Sequence, residues 1–182
     1  MREEVREAMA RLTPEGGAID ESGIAEALES LPLLNGVIHE TLRLYPTIPQ
    51  TARQANIDTV ISGQLIPKGT RLLVSIWSLN RHAAIWGSDS LQFVPERWIN
   101  PDGKPNSTGG SKSNYDFVTF LHGPRSCIGQ KFALAELACM LAAFVGRYKF
   151  EMTYPDEEII VKGGITARPK NGMRLNVEVI DW

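Results

Sequence analysis

The sequence predicts an α+β fold class, mainly α-helical with small β-sheets. Three observations lead to this prediction: segments with a helical apolar period near the start, short strand-like segments separated by glycines in the middle, and a long apolar helical segment late in the chain. The chain has 182 residues, of which 43% are hydrophobic and 22% are charged. These values are typical of a globular protein with one apolar core.

Three helices are predicted in the first quarter of the chain. Residues 2–11 are rich in helix formers, Pro and Gly within 13–17 end that segment, and a second short helix follows over about 20–30. The third helix has a periodic apolar stripe and ends at Pro46, which cannot continue a helix. That stripe consists of Leu34, Val37, Ile38, Thr41, Leu42 and Tyr45.

Short strands, turns and one loop are predicted in the middle of the chain. Residues 60–66 have two apolar pairs around Ser-Gly-Gln, which predicts a small hairpin, and 72–74 form a further short strand. Short helical turns follow over 77–86. Residues 100–114 are rich in Gly, Ser and Asn, so we expect an exposed loop there rather than a domain boundary.

A long helix and a strand-rich tail are predicted at the end. The helix spans about 128–148 and is apolar on most sides, so we expect it to be deeply buried, with Cys139 as an inert buried thiol. Residues 150–179 are predicted to form strands with a turn at 162–164. A second turn is predicted at Asn171-Gly172, a pair typical of hairpins.

Composition and charge exclude several classes of protein. The net charge of −2 argues against nucleic acid as a partner. Two cysteines are too few for a disulfide framework, which fits a reducing compartment or a cytosol-facing protein. The three histidines do not stand at zinc-type spacings from the cysteines. No apolar run approaches the length of a membrane span, so we expect no membrane anchor in this chain.

One cysteine lies in a setting that predicts ligand binding. Cys127 stands between Gly123 and Gly129, two residues after Arg125 and just before the long helix. The positive end of a helix favours the thiolate, the form of cysteine that binds metal. The glycines allow a flat group to approach, and the arginine adds a positive charge. We therefore expect the loop to hold a sulfur anion against a large, partly anionic ligand. Cys127 alone would favour an inert thiol in an ordinary turn.

The full spacing F-x-x-G-x-R-x-C-x-G resembles the haem-binding loop of the haem-thiolate monooxygenases, the cytochrome P-450 family. The five fixed positions are filled by Phe120, Gly123, Arg125, Cys127 and Gly129. The resemblance implies that these residues bind haem and that Cys127 is the proximal ligand to its iron. It also implies that Phe120 packs near the thiolate. Leu121 stands where the family often has another small residue.

Two further motifs precede the loop in the family's order. Glu40 and Arg43 have the spacing of one helix face, and Pro95-Glu96-Arg97-Trp98 resembles the P-E-R-[FW] segment of the same family. The resemblance implies that Glu40, Arg43 and Arg97 form a buried network below the haem-binding side. One carboxylate can satisfy two guanidiniums by bidentate bonds. The implied role is structural, and no catalytic residue is assigned to this chain.

Other positions correspond to the family pattern more loosely. Arg53, like Arg125, stands where the family commonly has an arginine that pairs with a haem propionate; a solvated surface arginine is the alternative. Asn80-Arg81-His82 resembles a segment that approaches the propionates in some members, with His82 expected to be structural. His122 is expected at an exposed loop position.

Two segments resemble regions that line the substrate pocket in the family. The first follows the Glu40 helix and the second is the turn of the C-terminal sheet. Both are mostly small or apolar, which suits an apolar substrate. The residues expected to line the pocket are Thr47, Ile48, Pro49 and Ile165.

The resemblance covers essentially the whole chain but only the C-terminal part of the family. The family's A-G-x-[DE]-T segment, which manages protons for oxygen activation, has no match here. We therefore expect residues 1–182 to be a single partial domain, the haem-binding portion of the family's fold. Apolar surface should then remain uncovered on the helix after Cys127.

The function implied by the resemblance is oxygen insertion. One atom of O₂ would enter a small apolar organic substrate, with electrons from an NADPH-dependent reductase. The loop resembles that of fungal members, which implies the endoplasmic reticulum membrane, on its cytosolic face. Three alternatives stay open: a haem-thiolate isomerase or dehydratase that does not use O₂, a truncated non-catalytic fragment, and an unrelated soluble module with a structural cysteine. The order of the three motifs argues against the last.

Overall fold

The computed structural model describes residues 1–13, 17 and 20–180. Its helices are α1 (Arg2–Leu12), α2 (Ile24–Glu29), α3 (Pro32–Leu44), α4 (Ile76–Leu79), α5 (Ala83–Trp86) and α6 (Gln130–Arg147). Its strands are β1 (Gln50–Gln54), β2 (Thr59–Ile61), β3 (Gln64–Ile66), β4 (Arg71–Ser75), β5 (Tyr148–Met152), β6 (Val161–Lys162), β7 (Arg168–Pro169) and β8 (Leu175–Val179). Single 3-10 turns lie at Glu21–Gly23, Pro95–Trp98 and Gly123–Arg125.

These elements confirm the predicted α+β class and the predicted helices, the one that ends before Pro46 being α3. The expected helices over 2–11, 20–30 and 128–148 are present, the second as a 3-10 turn that continues into α2. The helical turns expected over 77–86 are α4 and α5. In the Pro/Gly segment after α1, residues 14–16 lie outside the described residues.

Helices α1, α2, α3 and α6 enclose the main apolar core. Its buried side chains are Val5, Ala8, Met9, Leu28, Leu31, Leu34, Ile38, Leu42, Ala138, Ala142 and Val145. Polar contacts from α1 fix α3 and the end of α6. The Glu4 carboxylate accepts the main-chain N–H groups of Leu33 and Leu34 at 2.9 and 3.1 Å. Arg2 donates to the carbonyls of Val145 and Tyr148 at 2.8 and 2.9 Å. Each contact satisfies helix-end groups that have no partner inside the helix.

Four small antiparallel sheets lie outside this helical core, with pairings β1–β4, β2–β3, β5–β8 and β6–β7. The predicted hairpin over 60–66 is confirmed, and its turn residues Ser62 and Gly63 both have positive φ, as tight hairpins require. The turn predicted at Asn171-Gly172 is present, with the Gly172 N–H donating to the Pro169 carbonyl, but it does not join two paired strands into a hairpin. Strand β8 pairs at five positions with β5, whereas the two-residue β7 pairs with β6.

The prediction that the long helix is deeply buried is also wrong. Only the α1–α3 side of α6 is covered by described residues, where Ala138, Ala142, Val145 and Gly146 are buried. On the other side Phe132 is 73% and Met140 is 65% exposed. Cys139 is exposed too, so its expected place in a buried stripe is corrected. The expected uncovered apolar surface on this helix is therefore present.

The segment over 100–114 is exposed at most positions, as expected, but one of its glycines is part of the core. Gly109 is buried with φ +60°, and a Cβ there would lie 3.0 Å from the rings of both Trp86 and Trp98. No helix within the described residues is long and apolar enough to cross a membrane. That residues 1–182 form one domain stays a prediction.

Candidate functional site

A buried ion network joins α3 to the 3-10 turn at Pro95–Trp98. Glu40 and Arg43 are both 0% exposed and form a bidentate pair, with Nε to Oε2 and NH2 to Oε1 both at 2.8 Å. Arg97 donates from Nε to Oε1 of Glu40 at 3.1 Å and from NH2 to Asp89 at 3.0 Å. The structure thus brings together the three residues of the predicted network.

Both oxygens of the Glu40 carboxylate accept further hydrogen bonds. The Val94 N–H binds Oε1 and the Trp98 indole N–H binds Oε2, both at 2.9 Å. Burial favours the protonated acid, but the hydrogen bonds from Arg43, Val94 and Trp98 outweigh it and hold the pKa of Glu40 below its usual range. The carboxylate therefore stays ionised, and the network joins α3 to the 3-10 turn at Pro95–Trp98.

Close packing brings the 3-10 turn against α3. Gly36 faces Pro95 so closely that a Cβ would lie 2.5 Å from the Pro95 carbonyl oxygen. Three residues later, the His39 ring packs on the Trp98 ring with 5.0 Å between centroids. Burial lowers the pKa of His39, partly offset by its hydrogen bond to the Asn35 carbonyl. His39 is therefore uncharged at neutral pH, and its ring packs against Trp98.

The segment Asn80-Arg81-His82 divides into three roles. Asn80 is completely buried and faces the chain just before the cysteine loop. Arg81 lies over the Trp77 ring at 3.3 Å, and burial lowers its pKa to about 10, which leaves it cationic at neutral pH. His82 is exposed and accepts the N–H of Ala84, so it caps α5.

The cysteine loop leads from the core to the start of α6. Phe120 is part-buried and packs on the helical core. Its carbonyl accepts the N–H of Cys127 at 2.8 Å, which closes the loop at its base. Cys127 is exposed, and Gly129 is the N-cap of α6. The loop is anchored by its main chain while its sulfur faces outward. His122 is exposed, as expected.

The arrangement around the sulfur fits a planar, partly anionic iron cofactor. A Cβ on Gly129 would lie 3.9 Å from Cys127 Sγ, so glycine keeps the space beside the sulfur open. Gly123 has φ +73° with nothing within 4 Å of a Cβ, so its role is conformational. Arg125 is exposed and has no ion-pair partner within the described residues. An exposed cysteine sulfur, an open approach and a free guanidinium are what haem iron, macrocycle and propionates need.

The remaining predicted residues lie on β1 and in the segments around Thr47 and Ile165. Arg53 is exposed on β1 opposite Leu72, and its guanidinium donates to Thr51 and to the Ala52 carbonyl. The two segments expected to line a substrate pocket meet, because the Ala167 N–H donates to the Thr47 carbonyl at 2.7 Å. Ile48 is 40% and Ile165 is 84% exposed. Pro49 is half-buried, and its carbonyl accepts the N–H of Trp77.

Several residues of the site were missed by sequence reasoning. Gly36 and Val94 act through close packing and a main-chain N–H group, and such roles leave no fixed residue type in the sequence. Trp98 could have been found as a donor, since a buried indole N–H in the P-E-R-W motif needs an acceptor.

The chain belongs to the cytochrome P450 family, whose model matches residues 1–176. The cofactor of this family is haem. Residues of the chain are 49% identical to cytochrome P450 monooxygenase sphH of Aspergillus fumigatus, over 95% of this chain and 31% of that protein. The corresponding values are 37%, 100% and 34% for buaD of Petromyces alliaceus and 42%, 87% and 31% for ptmK of Penicillium ochrochloron. Both are also cytochrome P450 monooxygenases. The chain spans about a third of the length of these relatives.

Proposed function

We propose that this chain supplies the proximal, haem-ligating part of a cytochrome P450 monooxygenase. The observation that carries the proposal is the exposed sulfur of Cys127, with open space at Gly129 and a loop base closed by the Phe120 carbonyl. All three similar proteins are called monooxygenases. That favours oxygen insertion over a haem-thiolate isomerase or dehydratase.

Each residue of the loop has one task in this proposal. When bound, haem supplies the activation of O₂, and a thiolate ligand favours O–O cleavage. Cys127 binds the iron and Gly129 leaves room for the macrocycle. Arg125 and Arg53 pair with its carboxylates, and Phe120 excludes water from the protein side of the sulfur. The Glu40 network holds α3 and the 3-10 turn in fixed positions behind them.

The substrate proposed for the whole protein is a small apolar organic molecule. The joined segments at Thr47 and Ala167 border a cavity of about 350 Å³ that is lined mainly by apolar side chains. Its lining includes Tyr45, Ile159, Val161 and Met173. Apolar walls with few polar groups suit an apolar ligand. Ile48, Pro49 and Ile165 lie in the two segments beside it. Electrons would come from an NADPH-dependent reductase.

The ligand assignment is tested by haem reconstitution. Haem is added to the purified chain, reduced and exposed to carbon monoxide, and the Soret band is recorded. We expect the red-shifted band of a thiolate-ligated ferrous complex in the parent and in Cys139→Ser, which replaces the other exposed cysteine as a control. The band should be lost in Cys127→Ser. Its absence from the parent, or its survival in Cys127→Ser, would overturn the assignment.

Oxygen insertion is tested separately on the same reconstituted chain. With a P450 reductase, NADPH and labelled O₂, an apolar substrate should gain one labelled oxygen atom. A thiolate-type spectrum without labelled product would instead support a haem-binding fragment that does not catalyse by itself.

A further inference from the structure

We propose that Asn80 is a positioning residue that connects the Glu40–Arg43 network to the cysteine loop. The inference rests on the proposed function, since that loop carries the haem ligand. Asn80 directly follows α4 and is 0% exposed. Its main-chain carbonyl and both atoms of its side-chain amide contact residues distant in sequence. A buried amide satisfied on both sides fixes the elements it joins.

On one side, Asn80 is held by the ion network. Its main-chain carbonyl accepts a hydrogen bond from NH1 of Arg43 at 2.7 Å. The same guanidinium is locked by its bidentate pair with Glu40. The position of the Asn80 main chain is therefore fixed relative to α3.

On the other side, the side-chain amide forms hydrogen bonds with Val118 and Thr119, the two residues just before the cysteine loop. Nδ2 donates to the Thr119 hydroxyl at 2.7 Å, and Oδ1 accepts the Val118 N–H at 3.4 Å. The Thr119 hydroxyl in turn donates to the Leu42 carbonyl at 3.0 Å. That carbonyl is in the last turn of α3, where helical carbonyls have no partner within the helix. Val118 and Thr119 are thus tied to α3 as well as to Asn80.

The loop begins at the next residue. Phe120 follows Thr119, and its carbonyl accepts the Cys127 N–H. The Leu121 N–H donates back to the Val118 carbonyl at 3.0 Å and closes the turn. Any shift of Val118 and Thr119 therefore moves the carbonyl that anchors Cys127. Through this chain of contacts, the side-chain amide of Asn80 sets the position of Cys127, the proposed iron ligand, without itself contacting haem.

The experiment measures amide hydrogen exchange in Asn80→Ala, which keeps the carbonyl that binds Arg43 and removes only the side-chain amide. We expect exchange over 118–127, including the Cys127 N–H, to become roughly tenfold faster, because buried polar groups lose their partners. Amides of α1 should change less. Thr119→Val, which keeps the side-chain shape, should give the same local pattern with a smaller change.

Val145→Ala is the matched control, since it destabilises the core at the far end of α6 without touching this connection. It should not accelerate exchange at 118–127 more than elsewhere. Uniform acceleration in Asn80→Ala, or none at 118–127, would overturn the proposal. If Asn80→Ala does not fold, Thr119→Val decides by the same criterion.

A spectroscopic measurement separates this inference from the proposed function. In the reconstituted chain, Asn80→Ala should lower the fraction of the ferrous–carbon monoxide complex with the thiolate-type band, and Val145→Ala should not. If the parent lacks that band, the proposed function fails while hydrogen exchange still decides the role of Asn80. If the parent has it and Asn80→Ala changes neither readout, the positioning role is wrong.

Discussion

Trp98 donates its indole N–H to Oε2 of Glu40 at 2.9 Å, and both side chains are 0% exposed. The bond joins the 3-10 turn of the P-E-R-W motif to the helix of the E-x-x-R motif, 58 residues apart in the chain. Two motifs that look independent in sequence are therefore one structural unit. Arg97 of the same turn completes it through Oε1.

The first prediction concerns this bond. Trp98→Phe keeps an aromatic ring but removes the donor, so one oxygen of a buried carboxylate loses a partner. We expect the free energy of unfolding to fall by about 1–3 kcal/mol from this loss, measured by chemical denaturation. Trp77→Phe is the control, because Trp77 is only half-buried and its indole N–H has no protein partner among the described residues. An equal effect in both variants would mean that contacts of the indole ring, such as that of Trp77 with Arg81, and not the bond to Glu40, account for the loss.

Local patterns made the helices and the three motifs predictable from sequence. The features that were not predicted depend on contacts between residues that are distant in sequence. The apolar composition of α6 predicts burial on all sides, but it cannot show that only one side packs against other described residues. Strand β1 reads Gln-Thr-Ala-Arg-Gln, with no apolar alternation, and forms because β4 pairs with it. Asn80 reaches Arg43 through a main-chain carbonyl, which every residue type possesses.

A second prediction is that His39 makes the protein sensitive to mild acid. Burial lowers its pKa below 6.5 in the folded chain, so the unfolded chain binds the proton first as pH falls. Stability from neutral His39 is therefore full above pH 6.5 and declines below it. His39→Gln should flatten this decline in denaturation measured between neutral and mildly acidic pH. His82→Gln, at an exposed histidine, is the control; a flattening of equal size there would rule His39 out.

The third prediction separates two glycines of the cysteine loop. Gly123 has φ +73° with open space around a Cβ, so Gly123→Ala meets no clash but adopts a left-handed backbone. We expect a loss of about 1–2 kcal/mol of stability from that strain. Gly164→Ala is a matched control, since a Cβ there also meets nothing within 4 Å and its φ is not in the left-handed region. It should not lower stability.

Gly129 should give the opposite result. Its φ is −90°, which any residue adopts, and a Cβ would lie 3.9 Å from Cys127 Sγ, an ordinary contact. Gly129→Ala should therefore leave the melting temperature of the haem-free chain unchanged. The added methyl group would, however, occupy space beside the sulfur where the macrocycle must approach, and crowding of this kind costs about 1–3 kcal/mol. We expect haem titration to show weaker binding by that amount. Unchanged haem affinity together with lower stability would mean that Gly129 serves the backbone and not the cofactor.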